Sequence, residues 1–133
     1  MTTNHLSLIK EGVKAWNNGR AENPKEIADL TGADLSGMEL IGIDLSKATL
    51  TEANLSEADL SNAYLFAGNF SKCNLSGASL IDARAIGAQF AGTNLTQASL
   101  VGGDFTDAHF KQAVLSKADL GRANLCHPNF PRP

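Results

Sequence analysis

The chain has 133 residues, 14 acidic against 11 basic side chains, a net charge of −3 and two cysteines. One domain fits that length, the mild charge gives no footprint for nucleic acid or an anionic membrane, and two cysteines are too few for a disulfide framework. No run of about 18 apolar residues offers a membrane span, and the start MTTNHLSLIKEGVK lacks the basic-then-apolar order of a secretory signal, so a cytoplasmic protein is expected.

Residues 4–18 come first. Leu6, Ile9, Val13 and Trp16 recur at helical spacing on one face, with Lys10, Glu11 and Lys14 elsewhere. Thr3 or Asn4 is placed to start this helix and Gly19 to end it. Asn23-Pro24-Lys25-Glu26 then reads as a turn. A stack of repeats exposes its core at each end, so residues 1–27 are expected to cap the first repeats, with Trp16 over Leu30 and its neighbours.

From Leu30 to Leu125 every fifth residue is apolar: fifteen Leu, four Phe (Phe70, Phe90, Phe105, Phe110) and Ala85. Two residues before each stands a small one, Ala in fourteen of twenty cases, the others being Met38, Ile43, Gly68, Cys73, Thr93 and Gly103. On an α-helix this period spirals around the whole surface, since five residues turn through about 500°. On one long strand an odd period alternates faces. A chain that turns a corner every five residues meets the pattern, with the small residue and the Leu both pointing inward. Phe70, Phe90, Phe110 and Phe130 recur every twenty residues, which sets four sides per coil and stacks the rings in one column. Ala85 then lies between Leu65 and Phe105, whose ring is placed to fill the space a small side chain leaves.

Units such as Ala33-Asp34-Leu35, Ala53-Asn54-Leu55 and Ala118-Asp119-Leu120 resemble the A(D/N)LXX pattern of the pentapeptide-repeat family. The resemblance spans twenty uninterrupted units and implies an all-β fold, a right-handed quadrilateral β-helix of about five coils over residues 28–127, with an N-terminal α-helical cap like those of small cyanobacterial members. Residues 128–133 form a tail in which Phe130 keeps register as a plug. Pro128, Pro131 and Pro133 discourage edge pairing, so a monomer is expected.

No catalytic, cofactor or metal site is expected. His5, His109 and His127 fall in the cap, on a coil side and in the tail, and Cys73 takes a small inward position. Cys126-His127 lacks a third ligand at suitable spacing. The sequons at Asn54, Asn69, Asn74 and Asn94 are by-products of the repeat.

Function is therefore sought on the outside. Ile41, Tyr64, Phe66, Ile81, Ile86 and Val101 stand at outward positions where Ser or Thr is usual. Stacking by twenty sets Phe66 beside Ile86, Ile81 beside Val101, and Tyr64 beside Arg84 as a cation–π pair. These seven residues are the candidate partner-binding patch of a non-enzymatic interaction or regulatory scaffold whose partner is another protein. The alternative follows from the family, in which acidic rods mimic DNA and occupy a topoisomerase, gyrase. The third side here offers Glu39, Asp59, Asp82 and Asp119 against Arg122, whereas a duplex of equal length carries roughly fourteen charges at about one per 1.7 Å.

Overall fold

In a computed structural model, residues 4–128 are described, and the five-residue repeat closes into a four-sided tube. In the unit Ala28-Asp29-Leu30 the first and third side chains are buried and Asp29 is exposed, the alternation an extended segment imposes. Thr31 and Gly32 then turn the corner, and the Ala33 N–H donates to the Leu30 carbonyl at 3.0 Å. The second residue of all twenty corners has φ between 54° and 73°. A single positive φ at the third turn position is type II geometry. Thirteen of these residues are not glycine, and none is β-branched, the class for which that conformation is worst.

Sixteen parallel bridges set the register, each joining a residue to the one twenty positions on, from Asp29–Thr49 to Asp104–Asn124. One coil is therefore twenty residues and four sides. Coils 1 to 5 run 28–47, 48–67, 68–87, 88–107 and 108–127. Leu30 donates to Thr49 at 2.7 Å and Thr49 to Ala28 at 2.9 Å, and this exchange repeats around the tube.

The core is the stack of inward residues. On the first side Phe70 and Phe90 lie 5.4 Å apart at 14°, and Phe90 and Phe110 5.2 Å apart at 9°. Phe105, on the fourth side, stands 6.0 Å from both Phe90 and Phe110. The Arg84–Asp104 bridge sets the units of Ala85 and Phe105 on adjacent rungs of that side, and both side chains are buried. On the second side Cys73 and Thr93 are buried, and each adds a hydrogen bond to the coil below, Cys73 to the Leu50 carbonyl and Thr93 to that of Phe70. Phe130, Pro131, Arg132 and Pro133, like Thr3, lie outside the described residues.

The outward Asp and Asn side chains bind the corners. Asn54 Oδ1 accepts from the Ser56 N–H at 3.0 Å and its hydroxyl at 2.7 Å, and Asn74 and Asn94 repeat this with Ser76 and Thr96. Asn69 accepts from the Ser71 N–H at 3.0 Å. The sequons are thus turn-closing pairs two residues apart.

The cap departs from the single helix expected over 4–18. It is two helices, α1 (His5–Lys10) and α2 (Val13–Glu22), broken at Gly12, whose φ is 111°. Asn4 caps α1 by accepting from the Ser7 N–H at 3.1 Å. The break resets the helical phase: Ile9 and Trp16 are buried, Leu6 is exposed, and Leu8 packs on the core in its stead. Gly19 does not end α2. A Cβ there would stand 2.9 Å from Leu8 Cδ2, so the glycine is where α1 packs against α2.

Candidate interaction surface

The bonds of the cap orient one face of the tube. Trp16 Nε1 donates to the Asp44 carbonyl at 2.7 Å. Asn17 Nδ2 donates to the Gly42 carbonyl at 3.1 Å, and Asn17 Oδ1 accepts from the Asp44 N–H at 2.8 Å. A helix side chain thereby takes the place of a preceding strand at the open edge of the fourth side. His5, buried against Trp16 at 5.8 Å, does the same on the first side, its Nδ1 accepting from the Asp29 N–H at 3.2 Å while Nε2 faces Glu26 Oε1 at 3.2 Å.

The fourth side runs upward from Asp44 through Tyr64, Arg84, Asp104 and Asn124. Its two flanking corners carry the columns Ile41, Ser61, Ile81, Val101 and Ser46, Phe66, Ile86, Thr106. All seven candidate residues thus belong to one face and its edges. The Arg84 guanidinium lies 4.9 Å from the Tyr64 ring centroid, with Asp104 on the next rung. Tyr64 is 44% exposed, Phe66 47%, Ile81 39% and Ile86 37%, while Val101 is half-buried. Ile41 is separated from Ile81 by Ser61, whose hydroxyl lies 2.9 Å from that of Ser79. The continuous patch is therefore Tyr64, Phe66, Ile81, Arg84, Ile86 and Val101.

A cleft of about 480 Å³ opens between α2 and the first coil at the foot of this face, lined by Arg20, Pro24, Lys25, Glu26, Ile27, Asp44, Ser46 and Lys47. Arg20 donates to the Glu26 carbonyl across it. The Asn23-Pro24-Lys25-Glu26 turn forms as expected, Glu26 N–H donating to the Asn23 carbonyl at 3.1 Å. Periodicity gave no sign of the cleft, because it arises where two differently built segments meet.

The third side reads Glu39, Asp59, Ser79, Ser99, Asp119 from rung to rung. Two serines interrupt its carboxylates. Asp59 and Asp119 are turned onto the Ser61 and Gly121 N–H groups at 3.0 and 2.9 Å. The histidines stay apart, His109 exposed on the first side and His127 exposed, 3.6 Å from Asp107. Among the described residues no three His, Cys, Asp or Glu side chains gather as metal ligands. Burial pushes the Cys73 thiol up to about 12, which removes its thiolate at neutral pH. No helix among the described residues is long and apolar enough to cross a membrane.

The family model for pentapeptide repeats matches residues 28–65, 58–97, 69–107, 88–125 and 104–131. Among solved structures, the pentapeptide repeat protein Rfr23 from the cyanobacterium Cyanothece 51142 is similar at 27% identity and a TM-score of 0.77, over 86% of this chain and 92% of that one. The plasmid-mediated fluoroquinolone resistance protein QnrB1 shares the fold, with 24% identity and a TM-score of 0.54 over 77% of this chain and 65% of that one. None of the curated protein sequences compared with it matches. These likenesses give the four-sided tube its description as a right-handed quadrilateral β-helix.

Proposed function

The chain belongs to the pentapeptide-repeat family, and on that premise we propose that it is a non-enzymatic interaction scaffold that takes another protein on its fourth side. One observation carries this reading. Tyr64, Phe66, Ile81 and Ile86 stand exposed together on a single face, at outward positions that elsewhere hold the polar residues of closed corners. Exposed large apolar groups gathered in one place, with a positioned Arg among them, are the composition of a binding surface rather than of a solvated one. The rigid ladder beneath holds the side chains in place, which limits the ordering cost of association.

A double substitution, Phe66→Asp with Ile81→Asp, tests it. The circular dichroism and melting of the variant are expected to match wild type, since both side chains point outward. Affinity capture from the native host, with crosslinks mapped to the fourth side, is expected to lose its specific protein. Capture that survives both charges, or crosslinks that fall on other sides, rejects the reading.

Mimicry of DNA is the competing activity within the family. It asks for an unbroken row of carboxylates, and Ser79 and Ser99 interrupt the third side. A gyrase supercoiling assay separates the two readings: inhibition abolished by neutralising Glu39 and Asp59, and untouched by Phe66→Asp, would favour mimicry.

A further inference from the structure

The cleft at the foot of the fourth side has an excess of cations in its lining, Arg20, Lys25 and Lys47 against Glu26 and Asp44. Of the chain's 11 basic residues, three (Arg20, Lys25 and Lys47) line this one recess. Among the described residues the ion pairs are those of His5 with Glu26 and His127 with Asp107, so none of the three cations has a carboxylate partner there, while Arg20 donates to the Glu26 backbone carbonyl. The two carboxylates of the cleft are turned elsewhere: Glu26 faces His5 at 3.2 Å, and Asp44 Oδ1 accepts from the Ser46 N–H at 3.0 Å. The recess thus presents cations while its acids are engaged, in a chain whose net charge is −3.

The cleft is also continuous with the apolar patch. Asp44, Ser46 and Lys47 line its coil side, and the next rung up is Tyr64 and Phe66. Leu45 N–H donates to the Tyr64 carbonyl and Lys47 N–H to that of Phe66, both at 2.8 Å. Ile86 stands one rung higher, and Ile27, 67% exposed, lines the cleft itself. Rungs are about 4.8 Å apart, so Ser46 to Ile86 spans about 10 Å, or roughly three residues of extended chain.

We propose that this composite surface binds an acidic, extended peptide segment of a partner protein. Its carboxylates sit among Arg20, Lys25 and Lys47, and an apolar side chain about three residues away lies on the Phe66–Ile86 corner. The inference rests on the fourth-side reading above and names the chemistry of the partner. Carboxylates supply what the three cations lack, the apolar side chain covers the exposed corner, and the spacing fixes the direction of the segment along the tube.

The test uses the full chain and a fluorescent peptide set in which an Asp-Glu pair is placed one to six residues from a Phe or Leu. Binding measured by anisotropy is expected to peak near a spacing of three and to weaken as salt rises. It should fall about tenfold or more with Lys25→Glu plus Lys47→Glu, and comparably with Phe66→Asp. Glutamate already occupies equivalent corners at Glu52 and Glu57, so Lys47→Glu is compatible with the fold. Peptides with Lys in place of the acids should not bind. Failure of every acidic peptide, or binding that ignores the lysine reversals, overturns the proposal. Native capture sensitive to Phe66→Asp but not to the lysine reversals would sink the acidic segment and leave the fourth-side reading standing. Capture insensitive to both would sink the two together.

Discussion

The ring of Phe70 occupies the space that a methyl group on Gly68 would need: a Cβ there would stand 2.6 Å from Phe70 Cε2 and 3.3 Å from the Leu45 carbonyl. Gly103 and Phe105 repeat the relationship. In these two units the smallest residue makes room for the largest, and the total volume of the side is kept.

Gly68→Ala and Gly103→Ala are therefore expected to destabilise the tube by about 1–3 kcal/mol each, as overpacked cores do. Urea unfolding checks this. Variants as stable as wild type would mean that the rings move aside freely, contrary to a close-packed interior.

The cap predicts a second result. Trp16→Ala removes a fully buried side chain and the donor to the Asp44 carbonyl, at about 3–5 kcal/mol. Asn17→Ala removes little volume but strips the Gly42 carbonyl and Asp44 N–H of their partner, at about 1–3 kcal/mol. The second variant also opens a strand edge. Light scattering over a concentration series should show it associating more strongly than wild type.

Acid should loosen the first coil. The Thr31 hydroxyl and N–H hold the Asp29 carboxyl below the usual carboxylate range, and Ser36 does the same for Asp34. The folded state then binds fewer protons than the unfolded chain. The stability these groups supply is present above about pH 4 and is lost as pH falls through and below that value. An Asn oxygen closes the same turn at Asn54 and Asn74. Asp29→Asn with Asp34→Asn should therefore keep the fold and flatten the acid limb of a stability–pH curve. An unchanged limb would assign the acid response to other carboxylates.

The two cysteines should divide under a thiol reagent. Cys126 is exposed, whereas Cys73 is buried, donates to the Leu50 carbonyl and has its thiol pushed up to about 12. One thiol is expected to react at neutral pH in the folded protein and two in denaturant. Rapid labelling of both would mean that the second side opens readily.

Much of this was legible because the repeat repeats. Leu at every fifth position named each inward residue, and the recurring Phe gave four sides. The corner conformation was readable too, in the absence of Val, Ile and Thr from its second position, though that signal is a negative one. The cap was less readable, since the phase of α1 depends on what it rests against, and the break at Gly12 lets His5 and Ile9, rather than Leu6, turn inward. The outward apolar residues were visible as exceptions. Their gathering on one face depends on where the corners fall, and the cationic cleft depends on a meeting of helix and coil that no local pattern encodes.

The twenty-residue register has a consequence for how such a chain can change. Adding or losing twenty residues lengthens or shortens the tube and leaves every later side chain above its old column. Adding or losing five keeps every core position apolar, yet carries everything downstream a quarter-turn around the axis. Arg84 would then no longer stand over Tyr64, and Ile86 would leave Phe66. The interior stays apolar through such an edit, although an edit between Phe70 and Phe110 would split their column, whereas the exterior loses its pairings. Drift in steps of five therefore works like a combination lock, scrambling the message on the outside while the tube within still closes.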